Sequence, residues 1–238
     1  MQPGFEIGLL LFPGVMQLDL TGPAEVFGAV PEARVHLLWK EMQPVATSRG
    51  WRIVPTTTLD ACPPLDVICV PGGAGQIDLM DDALILDFLR LQAENARWVT
   101  SVCTGSLVLG AAGLLRGYRA ACHWASRDQL AWLGALPVAE RVVKDRNRLT
   151  CGGVTSGIDL ALTLVAEIAG DEVARRIQLE LEYDPRPPFE SGTPDRAGPQ
   201  LVAQVERDVA ARQQRRRVAT RLAGTRLGVD LPLRLVDP

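Results

Sequence analysis

The sequence predicts an α/β fold built on a mostly parallel sheet, and two observations carry that expectation. Short continuous apolar runs recur along the chain, the pattern of strands covered on both faces. Between them lie segments with helical signals, and strands alternating with helices form parallel sheets. No internal repeat interrupts this order.

The run IGLLLF at 7–12 is the first strand. Asp19-Leu20-Thr21-Gly22-Pro23 then reads as a helix entrance, with Thr21 as a cap and Pro23 in the first turn. Residues 35–39 form a second strand and 51–57 a further extended segment. LDVICV at 65–70 is another buried strand, ended abruptly by Pro71-Gly72-Gly73-Ala74-Gly75. A helical pattern covers about 82–95. Residues 98–115 read as a buried strand, then Cys103, then a helix beginning with Thr104 and Gly105.

Residues 119–123 suggest a strand and 126–133 a helix. Residues 141–144 and 148–151 read as a strand pair around a polar turn. Cys151-Gly152-Gly153-Val154-Thr155-Ser156-Gly157 leads into a strongly apolar helix at 158–168. Residues 184–199 are rich in proline and polar side chains and read as loop. A polar, arginine-rich helix follows at about 200–222. The α/β domain is expected over 1–190. The loop and helix of 191–238 are expected to pack on it or on a second subunit through a stripe of Leu201, Val205 and Val209. The run Arg215-Arg216-Arg217 reads as a solvated face, because one basic cluster in an acidic chain is weak support for phosphate binding.

The chain has 238 residues, enough to bury a substantial core, with 47% hydrophobic and 22% charged side chains. A net charge of -3 gives no case for nucleic acid or a membrane surface as partner. No apolar run reaches the length of a membrane span, and the first residues lack a basic start and an apolar signal core. A cytoplasmic location is expected. The five cysteines are odd in number and lack C-x-x-C spacing, which disfavours a disulfide framework and structural zinc. Only two histidines occur, His36 and His123, which disfavours a metallohydrolase; no metal site is expected.

A cysteine where a strand meets a helix faces unpaired amides and the positive end of the helix dipole, which favour a thiolate. Cys103 is therefore either a nucleophile or a small core residue. In an open parallel sheet the strand ends share one edge, so the turns at Asp19–Gly22, Gly72–Gly73, 103–105 and Gly152–Gly153 can converge there. Gly72 and Gly73 let backbone approach a ligand, and the amides of Gly73 and Thr104 form a candidate anion pocket. Asp19 is a helix capper or, beside Cys103, a proton partner: two such acids crowd each other's ionisation and share one proton. His123 lines the pocket or is a buried structural residue. No G-x-S-x-G elbow and no G-x-G-x-x-G after the first strand occur, which disfavours a serine hydrolase and a dinucleotide site.

Five separated motifs, Asp19-Leu-Thr-Gly-Pro23, Cys69-Val-Pro-Gly-Gly73, Ser101-Val-Cys-Thr-Gly-Ser106, Gly113-Leu-Leu-x-Gly117 and His123-Trp124, resemble the ThiJ/PfpI superfamily in this order. Within it the resemblance is greatest to the isocyanide hydratases. It implies a flavodoxin-like sandwich with helices on both faces, a homodimer and a strained elbow bearing the nucleophile. By motif, Cys103 corresponds to the nucleophile and Asp19 to the acidic partner, a glutamate in most other branches. Thr104 and Gly73 correspond to backbone donors, and Val154 to the residue whose carbonyl approaches the cysteine. The implied reaction joins Cys103 to an isocyanide carbon as a thioimidate, with Asp19 as acid and then base, and releases a formamide without cofactor. AraC-type regulators share these motifs, so a ligand sensor is one alternative. Only about fifty residues follow Phe189, short of the usual DNA-binding region. A cysteine-based redox or stress protein is the other alternative.

Overall fold

The computed structural model describes residues 4–229; the expected domain ends at 1 and 238 lie outside them. The chain begins with β1 (Glu6–Leu10), whose last four residues are buried, and enters α1 (Gln17–Gly28). β2 (Arg34–Trp39), β3 (Val45–Ala46), β4 (Arg52–Ile53) and β5 (Thr57–Thr58) follow. Next come the fully buried β6 (Val67–Val70), α2 (Gln76–Leu79) and α3 (Ala83–Ala93). Asp82 caps α3 by accepting the Ile85 amide, satisfying one of the orphan donors of a helix start. β7 (Trp98–Val102) runs through Cys103 into α4 (Gly105–Ala111). β8 (Arg119–Ala120), a 3-10 helix (Trp124–Leu133), β9 (Leu136–Pro137), β10 (Val142–Asp145) and β11 (Arg148–Cys151) lead to four final helices. These are α5 (Ser156–Ala169), α6 (Asp171–Glu180), α7 (Pro194–Ala197) and α8 (Pro199–Arg226).

Seven strands form the central sheet in the order β10-β11-β7-β6-β1-β2-β5, parallel except for the β10–β11 hairpin. The five inner strands β2-β1-β6-β7-β11 have the flavodoxin-like order, and helices surround the sheet. Strand order reverses between β1 and β6. At such a point the two following connections leave in opposite directions and open a crevice at the carboxyl edge. The turns after β1, β6 and β7 all reach that edge. Burial drives the arrangement: Leu9, Val67, Cys69, Val70, Val99 and Val102 have no exposed surface. An aliphatic side chain of this kind contributes roughly 1.5–3 kcal/mol when fully buried.

Several local expectations shift. α1 starts at Gln17, four residues before Thr21, and no side chain caps it. Thr21 is interior and donates its hydroxyl to the Gln17 carbonyl. Pro23 lies inside the helix rather than in its first turn; its ring packs towards Gly157 of α5. The strand expected at 119–123 stops at Ala120 and pairs with β9 outside the main sheet. The helix expected at 126–133 is a 3-10 helix whose cap is His123. α6 has no counterpart in the sequence reading. It buries Ala174 and Ile177, and Val173, Ala174 and Ile177 at helical spacing carry a signal that the sequence reading passed over.

Candidate functional site

Cys103 occupies the turn between β7 and α4 with φ +56°, a left-handed conformation that costs a residue with a Cβ about 1–2 kcal/mol. Packing holds it there. The Cys103 N–H donates to the Cys151 carbonyl at 3.1 Å, extending the β7–β11 ladder one step beyond its last pair. Gly105 follows so closely under β6 that a Cβ would lie 1.9 Å from the Val70 carbonyl oxygen. The chain must therefore turn sharply at Cys103. The thiol ends at the cavity floor, only 6% exposed, with the Thr104 N–H directed at its sulfur.

Asp19 comes from the first turn of α1 and has no exposed surface. Its Oδ2 accepts the Gly72 N–H at 2.9 Å, so it caps a different segment rather than its own helix. The other polar group that acts on this carboxyl is the Cys103 thiol. Oδ1 is buried and has no partner at ordinary hydrogen-bond geometry, which leaves it available to the neighbouring sulfur. Burial pushes Asp19 up to about 7, against the opposing pull of the Gly72 and Cys103 contacts. Burial, and then the Asp19 charge, hold Cys103 well above the ordinary thiol range despite the Thr104 amide. The helix terminus thus does not make a resting thiolate. The first proton to leave the pair therefore comes from the Asp19 carboxyl, while the sulfur keeps its own.

Two glycines make this contact possible. A Cβ on Gly72 would sit 2.6 Å from both N and Oγ1 of Thr104 and 2.9 Å from Asp19 Oδ2. Gly73 has φ +142°, and its N–H donates to Thr104 Oγ1 at 3.2 Å. The Gly73 amide is therefore already engaged, and the Thr104 amide is the donor nearest the sulfur. Met16 N–H donates to the Gly72 carbonyl at 2.8 Å, which fastens the turn after β1 to the turn after β6.

The cavity holds about 250 Å³ and is lined by Gly73, Cys103, Thr104, His123 and Val154, together with Met16, Ser48, Arg49, Ala74 and Ala125. Asp19 and Gly72 stand behind this wall rather than on it. Val154 lines the cavity, and its carbonyl accepts the Gly157 N–H of α5 at 3.5 Å. His123 Nδ1 accepts the Ala125 N–H at 3.3 Å, which leaves the ring proton on Nε2. Burial, then the charges of Arg216 and Arg212, lower its pKa to about 4, so the ring is neutral at pH 7.

The remaining wall comes from α8, which supplies Val205, Val209, Arg212, Gln213 and Arg216. The helix also packs on α2, α4 and the 3-10 helix. The arginine run expected to form a solvated face therefore divides. Arg215 lies 3.7 Å from Asp78 and Arg217 3.2 Å from Asp128, both near the surface, whereas Arg216 is 4% exposed. Sequence reasoning missed Arg216. Its signal was present: continuing the Val205–Val209 stripe at helical spacing reaches Arg212 and then Arg216.

Residues 6–167 match the DJ-1/PfpI family. Isonitrile hydratase from Pseudomonas putida is 54% identical over 224 residues, spanning 94% of this chain and 98% of that protein. The crystal structure of a ThiJ/PfpI family protein from Pseudomonas syringae matches with a TM-score of 0.89 and 41% identity. That likeness covers 91% of this chain and 90% of the other. The HTH-type transcriptional regulator GbdR from Pseudomonas aeruginosa is 34% identical over 75% of this chain and 51% of the regulator.

Proposed function

The chain belongs to the DJ-1/PfpI family, and on that premise we propose that it hydrates isocyanides to N-substituted formamides. Isonitrile and isocyanide name the same group, and the 54% identity to the Pseudomonas putida hydratase across nearly the whole of both chains supports the substrate class. The observation that carries the mechanism is the Cys103 thiol beside a buried carboxyl, Asp19, raised to about 7. A nucleophile and a proton carrier that titrates near neutrality stand side by side, and no histidine is needed as the base.

The isocyanide R–N≡C seats its terminal carbon against Cys103. Asp19 takes the thiol proton as sulfur bonds to that carbon, and delivers it to the same carbon. The product is a thioimidate, R–N=CH–S–Cys103. The ionised Asp19 then takes a proton from water as the hydroxide oxygen adds to the carbon, and the nitrogen receives that proton. Collapse of the adduct forms the formamide C=O, breaks the C–S bond and returns the hydroxyl proton to sulfur. The sum is R–N≡C plus water to R–NH–CHO. Cys103 is nucleophile and leaving group, Asp19 is acid and base, and Thr104 N–H stabilises negative charge on sulfur. Gly73, Val154 and His123 shape the cavity, and Gly72 holds the carboxyl. These groups account for every proton without a metal or organic cofactor. The reading includes a homodimer as the working assembly.

The test is to follow isocyanide loss and formamide appearance with the purified protein. Stoichiometric conversion that disappears in Cys103→Ala supports the proposal. Conversion that survives in Cys103→Ala refutes the covalent route, and no conversion of any isocyanide refutes the activity.

A further inference from the structure

The charge on the cavity wall points to the substrate's other end. Three arginines line the cavity, Arg49, Arg212 and Arg216, and no aspartate or glutamate does. Arg49 and Arg212 sit at the exposed rim and make no ion pair among the described residues. Arg216 is inside, and every group it touches is neutral. Its Nε donates to Gln76 Oε1 at 2.6 Å, and its Nη1 donates to Ser126 Oγ at 3.3 Å and Gln213 Oε1 at 3.1 Å. Its Nη2 donates to the Gly73 carbonyl at 3.4 Å. Four contacts serve five N–H groups, so the fork is held in place with one donor left over. No carboxylate neutralises the charge, although a buried cation normally has a counter-ion.

Arg212 and Arg216 are also one helical turn apart on the same face of α8, where like charges repel. Each of these features is unfavourable for the protein by itself, and one anion between the two guanidinium groups relieves both. The apolar part of the wall, which includes Val205, Val209, Val154 and Met16, suits a hydrocarbon linker, with Ser48, His123 and Gln213 as polar neighbours.

We propose that this wall is an anion subsite and that the preferred substrates are isocyanides bearing a carboxylate, held by Arg216 and Arg212 while the isocyanide carbon meets Cys103. One carboxylate oxygen accepts the spare Arg216 N–H and the other accepts from Arg212, a charge-assisted pair of hydrogen bonds. The inference rests on the hydratase reading and narrows it to isocyano acids. It also places the protein after a reaction that converts an amino acid's amine to an isocyanide, with an N-formyl amino acid as product.

The decisive comparison is isocyanoacetate against methyl isocyanoacetate, which removes the charge and keeps the reacting group. The expected kcat/KM favours the acid on the order of tenfold, the worth of one charge-assisted hydrogen bond, and the preference shrinks in high salt. Arg212→Gln, at the exposed rim, brings the ratio towards one. Arg216→Gln does so more strongly if it folds. A binding measurement stands apart from turnover: N-formylglycine should titrate into Cys103→Ala about tenfold more tightly than its methyl ester. Equal turnover of acid and ester, with Arg212→Gln leaving the ratio unchanged, overturns the inference but leaves the hydratase reading intact. Failure to turn over either compound, or any other isocyanide, overturns the hydratase reading and this inference with it.

Discussion

Asp19 Oδ2 accepts the Gly72 N–H at 2.9 Å and so joins the first turn of α1 to the turn after β6 across 53 residues of sequence. That single bond fixes a carboxyl in the protein interior, and burial outweighs it, leaving Asp19 at about 7. In the unfolded chain an aspartate titrates near 3.9. Between these values the folded protein holds the extra proton, so stability falls as pH rises through about 4 to 7 and is level above. Asp19→Asn removes this penalty. Its melting temperature should exceed the parent's at pH 8 by the equivalent of about 4 kcal/mol, and the gain should shrink towards about pH 4. Calorimetry at the two pH values checks this, and a constant offset would contradict it.

The same titration governs the rate. Asp19 must be ionised to take the thiol proton, so kcat/KM should rise with pH along an acid limb of apparent pKa about 7. Below it the rate falls about tenfold per pH unit. His123, lowered to about 4, cannot supply that limb, and Cys103, held well above the ordinary thiol range, causes no loss near neutrality. Asp19→Asn should lower kcat by about a hundredfold or more and flatten the limb. A limb that persists in Asp19→Asn would assign the titration to another group.

Periodicity and apolar runs were enough to read the strands from β1 to β11 that build the parallel core, and Cys103 was legible because a small-residue turn follows a buried strand there. The geometry of the pair was not. Asp19 looks like a helix capper in sequence, and only the meeting of α1 with the turn after β6 gives its carboxyl a distant donor. Arg216 was hidden because adjacent residues on a helix point about 100° apart. Three consecutive arginines therefore meet three environments: surface, cavity and the rim of buried Trp132. His123 was misplaced for a different reason. The strand expected to reach it stops at Ala120, and the 3-10 helix that it caps begins two residues before the helix expected at 126–133.

Gly72 is defined by what lies against it. Gly72→Ala would drive a methyl group to within 2.6 Å of the Thr104 backbone, which cannot give way without moving Cys103. The expected outcome is a destabilisation of about 1–3 kcal/mol, the range for overpacking, with a larger loss of activity than of stability. Thermal unfolding and kcat measured on the same sample separate the two. Parental turnover in Gly72→Ala would show that the Asp19–Cys103 geometry tolerates displacement.

Thr104 tests the turn from the other side. Its Oγ1 accepts the Gly73 N–H at 3.2 Å, and the residue is only 4% exposed, so water does not readily replace that acceptor. Thr104→Val keeps the shape but leaves the Gly73 amide without a partner, a loss of about 1–3 kcal/mol. Thr104→Ser keeps the hydroxyl and should stay much closer to the parent. The backbone N–H directed at Cys103 is present in all three proteins. If that amide supplies the electrostatic help to sulfur, Thr104→Ser retains kcat even where stability drops slightly. Thr104→Val then loses kcat only as far as the turn shifts. Unfolding curves paired with kcat for the two variants decide this: equal stability in Val and Ser would mean that the Gly73 amide finds another acceptor.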